Sequence, residues 1–182
     1  MGLFRPSLEP IPARIEALRL PPPDSSVMPM MHISYLADHE HLIPDLARLH
    51  FGEWSYLRPG ETLEGRTERL RGCCGKDLPT VVVGTVDDEL CGSAMLVAHD
   101  LEDRRELTPW LAGVYVKPEF RGRGLAALLI ERIAQQARAL HFPRLYLYTP
   151  GNERMYEHLG WFALEHRIHQ GTGIVVMSRP LG

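Results

Sequence analysis

The stretch from residue 110 to residue 148 limits the fold more than any other part of the sequence. It begins with a β-prone run, Trp110-Leu111-Ala112-Gly113-Val114-Tyr115-Val116. A turn follows, Lys117-Pro118-Glu119-Phe120-Arg121-Gly122-Arg123-Gly124. In residues 125–140, Leu125, Leu128, Leu129, Ile133, Ala137 and Leu140 recur at the spacing of one apolar helical stripe. Glu131, Arg132, Gln135 and Arg138 are expected to face water. Residues 144–148 then read as a further strand. Strand, helix, strand in that order is a parallel crossover, which requires a sheet with helices packed on its faces.

The flanking segments add antiparallel pieces to that sheet. A short strand is expected at 32–36, and a helix at 44–54 with Pro44 in its first turn and Leu46, Leu49 and His50 on one side. A second helix at 62–72 is rich in Glu and Arg at pairing distances, which predicts a solvated outer face. Residues 80–86 and 90–98 form a hairpin, because Val81-Val82-Val83 is β-branched and Asp87-Asp88 offers the turn. A short helix at 152–159 ended by Gly160, and strands at 161–167 and 173–178, close the chain. The expected class is α/β, with a mixed sheet of roughly seven strands flanked by about four helices. Seven of the 15 prolines fall within the first 29 residues. Proline removes a backbone donor, so residues 1–30 are expected to be a flexible leader and 31–182 the single domain.

Composition narrows the function classes. Lys and Arg number 20 against 23 Asp and Glu, a formal charge of −3 that argues against a general nucleic-acid binder. Three cysteines, Cys73, Cys74 and Cys91, cannot all pair and fit a reducing compartment. No apolar run approaches the ~18–20 residues that span a bilayer, and the first residues lack a secretion core, so no membrane contact and a cytoplasmic location are expected. His39-x-His41 is the closest histidine pair among nine, too few ligands at workable spacing for a metal site. A serine-hydrolase elbow, G-x-S-x-G, is missing.

Chemistry concentrates at Arg121-Gly122-Arg123-Gly124-Leu125-Ala126. The first turn of a helix leaves N–H groups without partners at its electropositive end, and glycines let an anion approach them. Lys117, Arg121 and Arg123 add positive charge nearby. The loose dinucleotide pattern G-x-G-x-x-G/A is satisfied by residues 122–127, but Lys117 to Arg121 separate it from the strand, and Tyr146-Leu147-Tyr148-Thr149 supplies no acid for a ribose. A phosphate loop of the Lys-Ser/Thr type is absent.

With these residues in view, the chain resembles the GNAT N-acetyltransferase superfamily. Arg121, Gly124 and Ala126 match that family's loop Gln/Arg-x-x-Gly-x-Gly/Ala, and Tyr156, Gly160 and Trp161 match its late Tyr-x-x-x-Gly-aromatic pattern. The resemblance implies direct transfer of acetyl from acetyl-CoA, the cosubstrate, to a primary amine of an acceptor, with no metal. It implies that backbone amides of Arg121, Gly122, Arg123, Gly124, Leu125 and Ala126 hold the pyrophosphate. Val114, Tyr115 and Val116 match the strand that pairs with pantetheine, and Asn152 a position that touches the same arm or orients the late helix. A strand N–H, that of Val114, would serve the carbonyl oxygen, and Tyr156 would protonate the leaving sulfur. Asn152 and Tyr156, four apart, share one side of their helix. The strand at 110–116 has no carboxylate to serve as base, which leaves Glu53, His99, Asp100, His166 or a water chain. Trp54, Tyr56 and Arg58-Pro59-Gly60-Glu61 match the connection that shapes acceptor pockets in the family. Two rivals stand beside this reading: a non-catalytic acyl-CoA-binding module of the same fold, and a dinucleotide enzyme. The sequence leaves open whether the chain is a monomer or a homodimer.

Overall fold

A computed structural model describes residues 31–182; the expected leader, 1–30, lies outside the described residues. The elements, in chain order, are β1 (Met31–Tyr35), α1 (Ile43–Trp54), α2 (Leu63–Arg71), β2 (Thr80–Val86), β3 (Glu89–Val97), β4 (Trp110–Val116), α3 (Leu125–Ala139), β5 (Arg144–Thr149), α4 (Glu153–His158), β6 (Phe162–His169) and β7 (Thr172–Pro180). Seven strands form one sheet in the order β1-β2-β3-β4-β5-β7-β6. Neighbours are antiparallel except β4 and β5, the pair joined by the α3 crossover. The sheet is therefore mixed, as the order of elements requires.

Local chemistry explains the turns. Asp87 and Asp88 both take positive φ, 49° and 63°, the twist that a two-residue hairpin needs between β2 and β3. Gln170 and Gly171 do the same between β6 and β7. Thr62 caps α2 by accepting a hydrogen bond from the Gly65 amide at 3.0 Å.

Burial divides the core by sheet face. Leu36, Ile43, Leu46 and Leu70, from α1, α2 and their approaches, cover Val81, Val83 and Met95. On the opposite face, Leu125, Leu129, Ile130 and Ile133 of α3 pack with Val82, Leu96 and Leu111, and the same cluster extends to Leu145, Tyr156 and Trp161.

One expectation about exposed charge is corrected. Arg132 does not face water: its guanidinium lies 4.7 Å from the centre of the Tyr35 ring and donates to the Tyr35 hydroxyl, itself donating to Gln136 at 2.6 Å. Arg66 of α2 is likewise buried, because its guanidinium turns inward to grip Glu61 from the preceding loop. In both cases a partner distant in sequence or outside the helix decides which way the charge points. Glu131, on the same helix as Arg132, is held by Arg138 and Arg179, both at 2.8 Å.

Candidate active site

The bend in β4 sets the geometry of the site. Along the β3–β4 ladder, Ser93 faces Tyr115 but Met95 faces Ala112, so Gly113 and Val114 together oppose Ala94 in a bulge. Gly113 takes φ +56°, and a Cβ there would sit 2.8 Å from the Met95 sulfur and 3.1 Å from His50 Cε1. Only glycine fits. Beyond the bulge β4 leaves its parallel neighbour: the two strands share a single paired position, Trp110 with Tyr146. The edge of β4 from the bulge onward is thus open toward β5.

A buried relay fixes the bulge. Ser93 Oγ donates to the Gly113 carbonyl at 3.0 Å, which spends the hydroxyl hydrogen. Its 2.8 Å contact with His50 Nε2 must therefore be one in which the imidazole donates. His50 Nδ1 is then bare, and it is buried with no partner among the described residues. Burial, reinforced by the nearby Arg66 cation, pushes the His50 pKa down to about 3, so the ring is neutral as the relay demands. Because a trans peptide points its C=O and N–H in opposite directions, pinning Gly113 O on Ser93 aims the Val114 N–H away from β3.

Val114 lines a cavity of about 260 Å³. Asn152 and Tyr156 line it too, so three of the residues singled out in the sequence meet there. Tyr156 is buried and stacks edge-on against Trp161 at 5.9 Å, and burial pushes its phenol up to about 12. Asn152 is exposed, at the position before α4, and its amide donates to Thr149 Oγ1 at 3.1 Å. Of the carboxylates and histidines considered as bases, Glu53, His99 and Asp100 line the cavity. His166 does not; it sits on exposed β6, 3.5 Å from Glu153. Burial raises the Asp100 carboxyl against the opposing pull of Arg58 and Arg66, and Arg58 bonds it at 2.6 Å.

Tyr115, Val116 and the loop 121–126 lie outside this cavity. The Tyr115 ring packs edge-on against His50 and Trp54, at 6.4 and 6.2 Å. In the loop, Gly122 and Gly124 have φ of +73° and +79°, and a Cβ at either would point into open space. Backbone conformation favours glycine here, and among the described residues nothing lies within 4 Å of where either Cβ would be. The first α3 amide to find a backbone acceptor among the described residues is that of Leu128, on Gly124 O at 3.3 Å. Among the described residues the amides of Gly122 to Ala126 have no backbone acceptor. The Arg121 amide does have one, Pro118 O at 3.2 Å; it departs from the expected set. The Arg121 side chain bonds Val116 O at 2.9 Å and Lys117 bonds Glu89 at 2.8 Å, so neither charge is loose. The open β4 edge and these uncovered amides together suit an extended ligand with a phosphate end.

Two arginines of the cavity wall, Arg66 and Arg69, escaped the sequence reading, because charges spaced along a helix look solvated unless their partner is known. Among the described residues no group of three His, Cys, Asp or Glu could hold a metal, and no helix is long and apolar enough to cross a membrane.

The family model that matches, over residues 43–161, is described as the acetyltransferase (GNAT) family. No curated protein matches the sequence. Many solved structures share the fold. An aminoglycoside 6'-N-acetyltransferase complexed with coenzyme A superposes with a TM-score of 0.67 at 14% identity, covering 82% of this chain and 97% of its own. A spermidine N-acetyltransferase from Vibrio cholerae, in complex with CoA and spermine, gives 0.63 at 17%, covering 83% and 95%. An acetyltransferase of the GNAT family from Streptococcus pneumoniae gives 0.61 at 17%, covering 84% and 99%.

Proposed function

The chain belongs to the GNAT acetyltransferase family, and from that premise we propose that it moves acetyl from acetyl-CoA to a primary amine seated in the cavity of Val114 and Tyr156. Acetyl-CoA supplies the activated thioester. The free amides of Gly122 to Ala126 hold its pyrophosphate, and the open edge of β4 from Val114 to Val116 takes its pantetheine arm as an added strand.

The residues divide the remaining work by chemistry. The Val114 N–H, aimed by the Ser93 bond to the preceding carbonyl, donates to the thioester oxygen as that oxygen gains charge. The amine nitrogen forms the new bond to carbon as the carbon–sulfur bond breaks. Tyr156 gives its proton to the departing sulfur, and the proton shed by the nitrogen restores the phenol. An acid with a pKa of about 12 never lacks that proton at neutral pH. Before attack the acceptor must be neutral, and Glu53 and His99, both exposed on the cavity wall, carry away the proton of an ammonium.

One observation carries the reading: the β4 bulge at Gly113 and Val114 and the buried Tyr156 line one cavity. Tyr156→Phe is expected to lower kcat about 100-fold while leaving the KM for acetyl-CoA within about twofold. Equal turnover by the variant removes Tyr156 from the role.

A further inference from the structure

The cavity that holds Val114 and Tyr156 is also lined by three arginines, Arg58, Arg66 and Arg69. Their partners do not balance them. Arg66 and Arg69 share one carboxylate, Glu61, whose side chain is 4% exposed, and Arg58 has Asp100. Among the described residues these three cations are therefore paired with two carboxylates. Glu61 does not itself line the cavity, whereas Arg66 and Arg69 do. The remaining acid on the wall, Glu53, is exposed to solvent.

Donor capacity is in surplus as well. A guanidinium carries five N–H donors, and these three make four hydrogen bonds to carboxylates between them. The crowding is felt electrostatically. After burial itself, Arg58 is the largest influence depressing both Arg66, down to about 10, and Arg69. An incoming anion would relieve that repulsion, and a planar carboxylate matches the guanidinium fork. At about 260 Å³ the cavity falls below the range of roughly 300–1,000 Å³ usual for drug-sized ligands, so it suits a small molecule or the end of a peptide.

We infer that the acceptor bears a carboxylate close to its amine, and that Arg58, Arg66 and Arg69 form the subsite that holds it. The inference deepens the acetyl-transfer reading and rests on it for the word acceptor. It also separates this chain from polycationic substrates such as spermidine, which three guanidinium groups repel.

The test uses the full chain and matched acceptors: aspartate beside asparagine amide, an Asp-initiated tripeptide beside its Asn counterpart, and spermidine. Release of CoA from acetyl-CoA is followed. The acid of each pair is expected to show a kcat/KM at least about tenfold above its neutral partner. Arg58→Gln and Arg69→Gln, at half-exposed positions, should each bring that ratio below about threefold. Which pair responds more strongly distinguishes a free amino acid from a peptide terminus. Equal rates within both pairs, or a preference for spermidine, overturn the subsite. A binding arm keeps the two readings apart: N-acetylaspartate and N-acetylasparagine amide are titrated calorimetrically into the protein saturated with CoA. Tighter binding of the acid supports the subsite even if no amine is acetylated, an outcome that sinks acetyl transfer alone. Equal binding of the two overturns the subsite whatever the turnover.

Discussion

Ser93 touches neither coenzyme nor acceptor in the proposed transfer, yet it decides where the Val114 amide points. Its hydroxyl holds Gly113 O, and the rigid peptide carries that constraint to the Val114 N–H. The neutral His50 behind it polarises the chain of bonds in the same direction. Ser93→Ala is therefore expected to lower kcat on the order of tenfold with little change in the KM for acetyl-CoA, a split that steady-state kinetics reads directly. A general loss of packing would instead appear as a fall in thermal stability with both constants affected. Tyr156 was visible in the sequence because its spacing to Gly160 and Trp161 is local. Ser93 and His50 were not, since their partnership spans 43 residues and exists only once α1 lies across the sheet.

At the scale of elements, α3 was the easiest to read and also gave the clearest error. Its apolar stripe and the glycines before it follow from local periodicity and turn chemistry. The rule that charge faces water points Arg132 outward, but Tyr35, 97 residues away, offers a ring face and a hydroxyl inside. The start of the same helix carries a functional prediction. Gly124 sits at φ +79° with open space where a side chain would be. Gly124→Val must either strain the backbone by about 1–2 kcal/mol or rearrange the turn. In both cases the amides behind it lose their common aim. The KM for acetyl-CoA should rise about tenfold or more while the KM for the acceptor holds, as initial-rate measurements varying each substrate in turn would show. α2 followed the same lesson as Arg132, for Glu61 lies just outside the helix and draws Arg66 and Arg69 to one side of it.

For the whole molecule, the buried imidazole of His50 couples stability to pH. Its folded pKa of about 3 lies below the unfolded value of about 6.5, so below pH 6.5 the unfolded chain binds a proton that the folded one refuses. Stability from this group is complete above pH 6.5 and declines as pH falls toward 3, by about 1.4 kcal/mol per pH unit at most. Thermal unfolding between pH 7 and pH 4.5 should show a steeper acid decline for the natural chain than for His50→Gln, which has no proton to gain. Matching slopes would mean that the ring takes up its proton without leaving its place. The arrangement of strands and helices was legible from order alone, because a crossover between hairpins admits few topologies. The composition of the cavity was not, since it gathers residues from α1, α2, β4 and α4 that no linear pattern connects.

The parting of β4 from β5 after one paired position has a consequence for how quickly the molecule can be loaded. A guest that lies along β4 breaks no ladder to enter, so association need not wait for a slow internal opening. Encounter and orientation set its pace, and the rate should climb in proportion to the concentration of coenzyme.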